Sequence, residues 1–105
     1  DVIQTPPDII KAVGHSVTLQ CSHNIEAYDQ ILWYQQRIMG MQLIGYMSYE
    51  TTQMESGYDQ IKLEGSARPG KTCKMVILEL SPSRSATYYC AASSHGAVLF
   101  EIIKP

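Results

Sequence analysis

Three cysteines and three histidines are the residues of this chain whose side chains most readily do chemistry. The cysteines are Cys21, Cys73 and Cys90, and the histidines are His15, His23 and His95. No two histidines have metal-ligand spacing and no Cys-x-x-Cys pair occurs, so the pattern indicates no metal site. His95 follows Ser94, but a Ser-His pair is a nucleophile only with an orienting acid and an oxyanion hole, and neither is indicated. We therefore expect surface or loop histidines.

The acidic side chains give no stronger candidate for catalysis. Glu26, Asp29, Glu50 and Glu55 fall in segments that we expect to be loops. Paired carboxylates catalyse hydrolysis only where one of them is buried and its pKa is shifted, and exposed loop acids are usually solvated. Without a nucleophile, a base and an orienting group, we expect no enzyme and no cofactor. These acids would instead favour a basic patch on a ligand.

Length and charge exclude several classes of protein. The chain has 105 residues with 45% hydrophobic residues, which predicts one domain over residues 1–105. The net charge of −2 gives no positive field for nucleic acid or an anionic membrane. No apolar run approaches the roughly 18 residues of a membrane span. No signal peptide is recognisable, so we expect a mature ectodomain.

Alternating polarity predicts short strands throughout. In the segment 16–23, Val17, Leu19 and Cys21 share one face, which is typical of a half-buried strand. Further strands are predicted at 2–5, continued at 9–13 after Pro6-Pro7, and at 31–37, 41–48, 61–64, 72–80 and 97–104. A strand is also predicted in the Tyr-Cys stretch that ends at Cys90, and at most one short edge strand within 49–58. About nine such strands separated by turns indicate an all-β sandwich rather than a helical fold.

Several motifs resemble the variable domain of an antigen receptor. They are Trp33-Tyr34-Gln35-Gln36, Leu43-Ile44-Gly45-Tyr46, Leu80-Ser81-Pro82 and Ala86-Thr87-Tyr88-Tyr89-Cys90-Ala91-Ala92-Ser93. The resemblance covers residues 1 to about 95 and is greatest to a fish-type T-cell receptor β-chain variable domain, with novel immune-type receptors as near neighbours. It implies an all-β, immunoglobulin V-type (V-set) antiparallel β-sandwich of about nine strands in two sheets.

The resemblance also implies a core. Cys21 and Cys90 would form the bridge between the sheets, Trp33 would pack on it, and Tyr88 would be the tyrosine corner. A bridge that closes about 70 residues is worth roughly 4 kcal/mol in the loop-entropy account. It implies an oxidising location, either the extracellular part of a plasma-membrane receptor or a secreted protein. The remaining Cys73 is then an intermolecular or reactive thiol, or a buried small hydrophobe, which its parity with the inward-facing set favours.

Three hypervariable loops are implied at 24–30, 47–53 and 91–98. In the family such loops contact a protein ligand, and for a T-cell receptor this is peptide bound to a major histocompatibility molecule. Tyr28 and Tyr49 are suitable anchors, because tyrosine gives a large contact area at low entropy cost. The predicted ligand-contacting residues are Tyr28, Asp29, Gln30, Tyr49, Glu50, Ser93, Ser94 and His95.

A pairing face towards a second V domain, in a homodimer or a heterodimer, is also implied. Trp33 and Cys90 face the core, so their neighbours Tyr34 and Tyr89 face outward. An outward patch of this kind is unlike a solvated face, although scattered surface apolar residues are the alternative. The predicted pairing residues are Tyr34, Gln36, Met41, Leu43, Tyr89 and Phe100.

Two departures from the family pattern leave alternatives open. The tail Phe100-Glu101-Ile102-Ile103 lacks the Phe-Gly-x-Gly bulge of antigen receptors. An innate immune-type receptor or adhesion domain with germline-fixed loops and no joining segment is therefore the second hypothesis. In addition, Arg84 stands where the family usually has an acid, which predicts a charge-swapped ion pair with Asp59.

Overall fold

A computed structural model describes the backbone of residues 2–5 and 100–103 and the backbone and side chains of residues 16–78 and 87–94. Nine strands form in these ranges: β1 (Val2–Thr5), β2 (Val17–His23), β3 (Gln30–Arg37), β4 (Gly40–Ser48), β5 (Thr51–Met54), β6 (Ile61–Gly65), β7 (Thr72–Ile77), β8 (Tyr88–Ser93) and β9 (Phe100–Ile103). Among these described residues no helix is present that is long and apolar enough to cross a membrane.

The strands form two antiparallel sheets. One has the order β1-β2-β7-β6, and the other has the order β5-β4-β3-β8-β9. Non-consecutive strands lie side by side in both sheets, so the chain crosses between the sheets rather than forming a simple meander. The predicted all-β, two-sheet antiparallel sandwich is confirmed.

The core lies between the sheets because each central strand alternates in polarity. Leu19 and Cys21 of β2 are at most 1% exposed, as are Met75 of β7 and Trp33 of β3. The residues between them on β2 point outward and are exposed or half-buried. Full burial of a large aliphatic side chain contributes about 1.5–3 kcal/mol, so these inward rows drive the two sheets together.

The cysteines are arranged as the resemblance implied. Cys21 and Cys90 form a disulfide across the sandwich, with Cα atoms 6.4 Å apart and a sequence separation of 69. Cys73 is free and buried, and it lies opposite Cys21 in the β2–β7 register. The indole Nε1–H of Trp33 donates to Cys73 Sγ at 3.3 Å. Burial raises the pKa of the Cys73 thiol to about 11, against a smaller lowering by the Trp33 hydrogen bond. The thiol is therefore an inert part of the core, and the buried-hydrophobe interpretation holds.

A β-bulge in the β3–β4 pair decides which side chains of β4 face outward. Trp33 pairs with Gly45 whereas Tyr34 pairs with Leu43, so Ile44 is the extra residue. Ile44 is fully buried and Leu43 is only half-buried. A Cβ on Gly45 would lie 2.7 Å from the Gln53 carbonyl oxygen of β5, so this position requires glycine.

His23 corrects the expectation of surface or loop histidines. Its side chain is 1% exposed. Nε2 is 2.7 Å from the Ala67 carbonyl oxygen, and Nδ1 accepts from the Ile25 backbone N–H at 3.1 Å. Since Nδ1 accepts and a carbonyl can only accept, the proton of the neutral ring is on Nε2. Buried polar groups need such partners, and His23 thereby connects β2 to the β6–β7 turn.

Some predictions concern residues outside the described ranges. They include the strand continuation at 9–13, the positions of His15 and His95, and the ion pair between Arg84 and Asp59. Asp59 itself is exposed, in the turn that precedes β6. These remain predictions.

The cysteine arrangement makes a prediction about thiol counts. Native protein should react with little maleimide or iodoacetamide, because the free thiol of Cys73 is buried and protonated. Denatured, unreduced protein should show one thiol per chain, and the Cys73→Ala variant should show none. Two or more thiols in the denatured protein would contradict the Cys21–Cys90 bridge.

The raised pKa of Cys73 also predicts a pH dependence. Well below pH 9 the thiol is protonated in both states, whereas between about pH 9 and 11 it ionises mainly in the unfolded chain. The unfolded state then binds fewer protons, so the free energy of unfolding falls with rising pH, by at most about 1.4 kcal/mol per pH unit from this group. The stability gap between wild type and Cys73→Ala should therefore narrow over this range. Urea unfolding at several pH values measures it, and a constant gap would contradict the prediction.

Candidate functional site

The three predicted loops meet at one end of the sandwich, and the peptide groups of Asp29 join them. The Asp29 N–H donates to the Ser93 carbonyl oxygen at 3.1 Å, and the Asp29 carbonyl oxygen accepts from the Tyr49 N–H at 2.9 Å. This follows from the strand register, because Gln30 of β3 pairs with Ser48 of β4 and with Ser93 of β8. The end of the first loop and the starts of the second and third loops are thereby held in one layer.

Two of the predicted ligand residues, Gln30 and Ser93, also bond each other within this layer. Ser93 is 4% exposed, and its hydroxyl donates to Gln30 Oε1 at 3.0 Å. Tyr28 is half-buried and packs against the core. Ser94 is half-buried, and His95 lies outside the described residues. Within the described residues, the predicted ligand residues with exposed side chains are Tyr49 and Glu50.

Tyr49 has an unusual backbone that keeps its ring at the surface. Its φ is 56°, in the left-handed region that bulky residues rarely adopt, and its side chain is 42% exposed. The Arg68 guanidinium lies 4.7 Å from the ring centroid. A hydrogen bond and the charge of Asp29 raise the pKa of Tyr49, so its hydroxyl stays protonated. Unfavourable backbone conformations of this kind concentrate at binding and catalytic sites.

Glu50, next along the chain, is held by the turn between β6 and β7. Arg68 Nε lies 2.8 Å from Glu50 Oε2, and the Ser66 hydroxyl donates to the same oxygen at 2.6 Å. The Ser66 hydroxyl also accepts from the Arg68 N–H at 3.1 Å. Arg68 first and Ser66 second lower the pKa of Glu50, so this carboxylate is ionised and already partnered.

The β6–β7 turn is a fourth segment at this end, and the sequence interpretation assigned it no role. The Ala67 N–H donates to the Tyr49 carbonyl oxygen at 2.8 Å, and the Gly70 N–H donates to the His23 carbonyl oxygen at 2.8 Å. Gly65 opens the turn with φ 101°, where a Cβ would collide with the Thr72 carbonyl oxygen. The alternating direction of antiparallel strands is enough to place this turn at the same end of the sandwich as the loops. The contact between Arg68 and Glu50, however, is known only from the structure.

A pocket of about 410 Å³ lies between this turn and the first loop. Its walls include two tyrosines, two acids and two bases: Tyr28, Tyr49, Glu26, Asp29, Arg68 and Lys71. The Oδ1 atom of Asp29 is buried and has no hydrogen-bond partner. Within the described ranges, no three His, Cys, Asp or Glu side chains are grouped so that they could hold a metal ion.

The predicted pairing residues of β3, β4 and β8 lie side by side on the outer face of their sheet. Tyr34 pairs with Leu43 on one side and with Tyr89 on the other, and Gln36 pairs with Met41. Directly opposed residues in adjacent strands share a face. Tyr34, Leu43 and Tyr89 are half-buried, and Met41 is 40% exposed. Burial raises the pKa of Tyr34.

The sequence analysis did not predict one exposed apolar pair beside these strands, and the side chain of one predicted pairing residue lies outside the described atoms. Ile38 and Met39, at the tip of the β3–β4 turn, are 102% and 96% exposed. They lie between Gln36 and Met41 in sequence and are large apolar side chains exposed to solvent. The backbone of Phe100 pairs with Ser93, whereas its side chain lies outside the described atoms.

Comparisons with known proteins agree with this architecture. The immunoglobulin V-set domain family matches residues 4–101. The mouse T-cell receptor beta chain V region C5 is 37% identical over 100 residues, which cover 93% of this chain and 80% of that protein. Human T cell receptor beta variable 5-6 is 33% identical over 93 residues, covering 88% and 80% of the two chains. The rabbit Ig kappa chain V region K-25 is 30% identical over 100 residues, covering 95% and 89%.

A solved structure supports the fold independently. The structure concerns the basis of T cell specificity and activation by the bacterial superantigen toxic shock syndrome toxin-1, and one of its chains superimposes with a TM-score of 0.83. The sequence identity is 20%, with 97% of this chain and 91% of that chain covered. At this identity the likeness shows the fold alone. The family match and the sequence relatives show that the chain belongs to the immunoglobulin V-set family, as a variable domain of the T-cell receptor beta type.

Proposed function

We propose that this domain is the extracellular recognition module of an immune receptor, binding a protein ligand through its loop end. The observation that carries the proposal is the joining of three loops by the Asp29 peptide groups, with Tyr49 and Glu50 exposed beside them. A layer fixed by backbone hydrogen bonds loses little conformational entropy when it binds, which favours affinity. The T-cell receptor relatives make peptide bound to a major histocompatibility molecule the first ligand to test.

The outer face of the second sheet supports pairing with another V domain. The row formed by Leu43, Tyr34 and Tyr89 crosses three adjacent strands, and Met41 and Gln36 extend it. Tyrosine and methionine are enriched at protein interfaces, and the centre of an interface is depleted in charge. The described members of the predicted pairing set carry no formal charge. The partner is a second V domain, identical or different.

The second candidate function is that of an innate immune-type receptor with germline-fixed loops. The observation that favours it is the tail from Phe100 to Ile103, which lacks the glycines of a joining segment. The genomic sequence that encodes residues 93–97 separates the two functions. A junction assembled from separate segments supports the T-cell receptor function, and one continuous exon supports the innate receptor.

The pairing face makes a prediction about association. Tyr34→Arg and Tyr89→Arg should each weaken V–V association by tenfold or more, about 1.4 kcal/mol, because each places an unpaired charge in an apolar contact. Thr18→Arg, on the exposed outer face of the other sheet, is the matched control and should leave association unchanged. Sedimentation velocity over a range of concentrations measures the effect. A wild-type monomer at high concentration, with unchanged capture of a second V chain by the arginine variants, would contradict the pairing proposal.

The loop end makes a separate prediction about ligand binding. Tyr49→Ala should weaken binding by about 2 kcal/mol, the usual size for an aromatic hot spot, without changing V–V association. Tyr28→Ala and His95→Ala should act in the same direction. Tyr49→Phe keeps the ring beneath Arg68 and is the control: it should retain most of the binding if the contact area of the ring is what matters. Binding of labelled, paired domains to cells with and without major histocompatibility molecules, measured by flow cytometry, tests this. Equal binding to both cell types would contradict the choice of ligand.

A further inference from the structure

We propose that the pocket between the first loop and the β6–β7 turn binds a lysine or arginine side chain of the protein ligand, with Asp29 as the counter-charge. This inference rests on the proposed function, because it names the chemistry that one part of the loop end recognises. The pocket, of about 410 Å³, is large enough for one long side chain, and Tyr28, Tyr49 and Lys71 are among the residues that line it.

The first argument is the incomplete pairing of the Asp29 carboxylate. Its Oδ1 is shielded from solvent and has no hydrogen-bond partner, while Asp29 as a whole is half-buried and lines the pocket. A buried acceptor without a partner is unfavourable, and more so when it carries charge. The Tyr49 hydroxyl bonds the carboxylate, but Oδ1 is left without a partner, so a cation brought into the pocket would stabilise the carboxylate.

The second argument is the charge balance of the walls. Arg68 is already paired, because its Nε lies 2.8 Å from Glu50 Oε2. The lining has two acids and two bases. Because Arg68 is paired with Glu50, which lies outside the lining, the two acids Glu26 and Asp29 are balanced only by Lys71. Among the described residues, the ion pairs within 4 Å are Arg68 with Glu50 and Lys62 with Glu64. Lys71 belongs to neither pair. The net charge therefore favours a cation over an anion.

The third argument is the aromatic lining. Tyr28 and Tyr49 both contribute to the pocket walls, and Tyr49 already carries the guanidinium of Arg68 at 4.7 Å. Aromatic rings pack against the methylene stems of lysine and arginine and attract their charged ends. An apolar stem ending in a cation therefore matches both parts of the pocket, the tyrosines and the carboxylate.

Small-molecule titration tests the pocket without knowledge of the ligand. N-acetyl-lysine methylamide and N-acetyl-arginine methylamide are titrated into the ¹⁵N-labelled domain, with the norleucine and glutamate analogues as uncharged and anionic controls. The expected result is saturable shifts of the amide signals of Asp29, Tyr49 and Arg68 with the two cationic probes only. Equal response to the norleucine analogue, a stronger response to the glutamate analogue, or no response to any probe would each overturn the assignment.

Two substitutions with opposite expected signs make the test specific. Asp29→Asn, which keeps the shape and removes the charge, should weaken binding of the lysine probe by about tenfold or more. Lys71→Met, which removes a repelling charge, should strengthen it by about twofold to fivefold. Asp59→Asn is the matched control, because Asp59 is an exposed acid at the other end of β6. The proposal would be contradicted if Lys71→Met bound the lysine probe more weakly than wild type, or if a folded Asp29→Asn variant bound it as tightly as wild type.

The outcomes are separable from those of the proposed function. If the cationic probes do not bind while the paired domains still bind cells through Tyr49, the pocket assignment fails and recognition by the loops stands. If the probes bind but the domain neither pairs nor binds cells, the pocket stands and the receptor function fails.

Discussion

The disulfide between Cys21 and Cys90 is the constraint on which the other parts of the structure depend. It joins the inner strand β2 of one sheet to the inner strand β8 of the other. Trp33 lies beside it, opposite Cys90 in register, and donates its indole N–H to Cys73, which in turn lies opposite Cys21. Three cysteines and one tryptophan thus occupy a single buried cluster. Small domains bury limited surface, and a covalent link of this kind lowers the entropy of the unfolded chain.

From that cluster the two functional surfaces are set by strand register. On β3, Trp33 faces the core and Tyr34 faces outward, and the bulge at Ile44 brings Leu43 beside Tyr34. Without the extra residue the outward row on β4 would be out of phase with the row on β3, since one residue of slip inverts a strand's faces. The apolar outer face is therefore a consequence of the bulge, and it is the surface that we propose for pairing.

The loop end depends on hydrogen bonds that cross between segments far apart in sequence. Asp29 joins the first loop to Tyr49 and Ser93, and Ala67 in the β6–β7 turn bonds Tyr49 from the other side. His23 is buried beneath the turn and contacts it twice, through Ala67 and Gly70. For this reason the turn belongs to the proposed ligand-binding surface together with the three loops. Its Arg68 lowers the pKa of Glu50 and lies over the ring of Tyr49.

The sequence by itself determined the sandwich and the identity of its central residues. Alternation in 17–23 and 72–77 shows which side chains face inward, because strand side chains alternate with a period of two. The parity of Cys73 with Met75 and Ile77 was enough to predict a buried thiol. Only the tertiary structure decided the bulge at Ile44, the burial of His23 and the pocket beside Asp29. Each of these depends on groups from distant segments, such as His23 with Ala67, or Asp29 with Arg68 in the walls of the pocket. The polarity pattern of a local segment does not reveal such pairs. A histidine in the sequence reads the same whether it is buried with a distant partner or exposed.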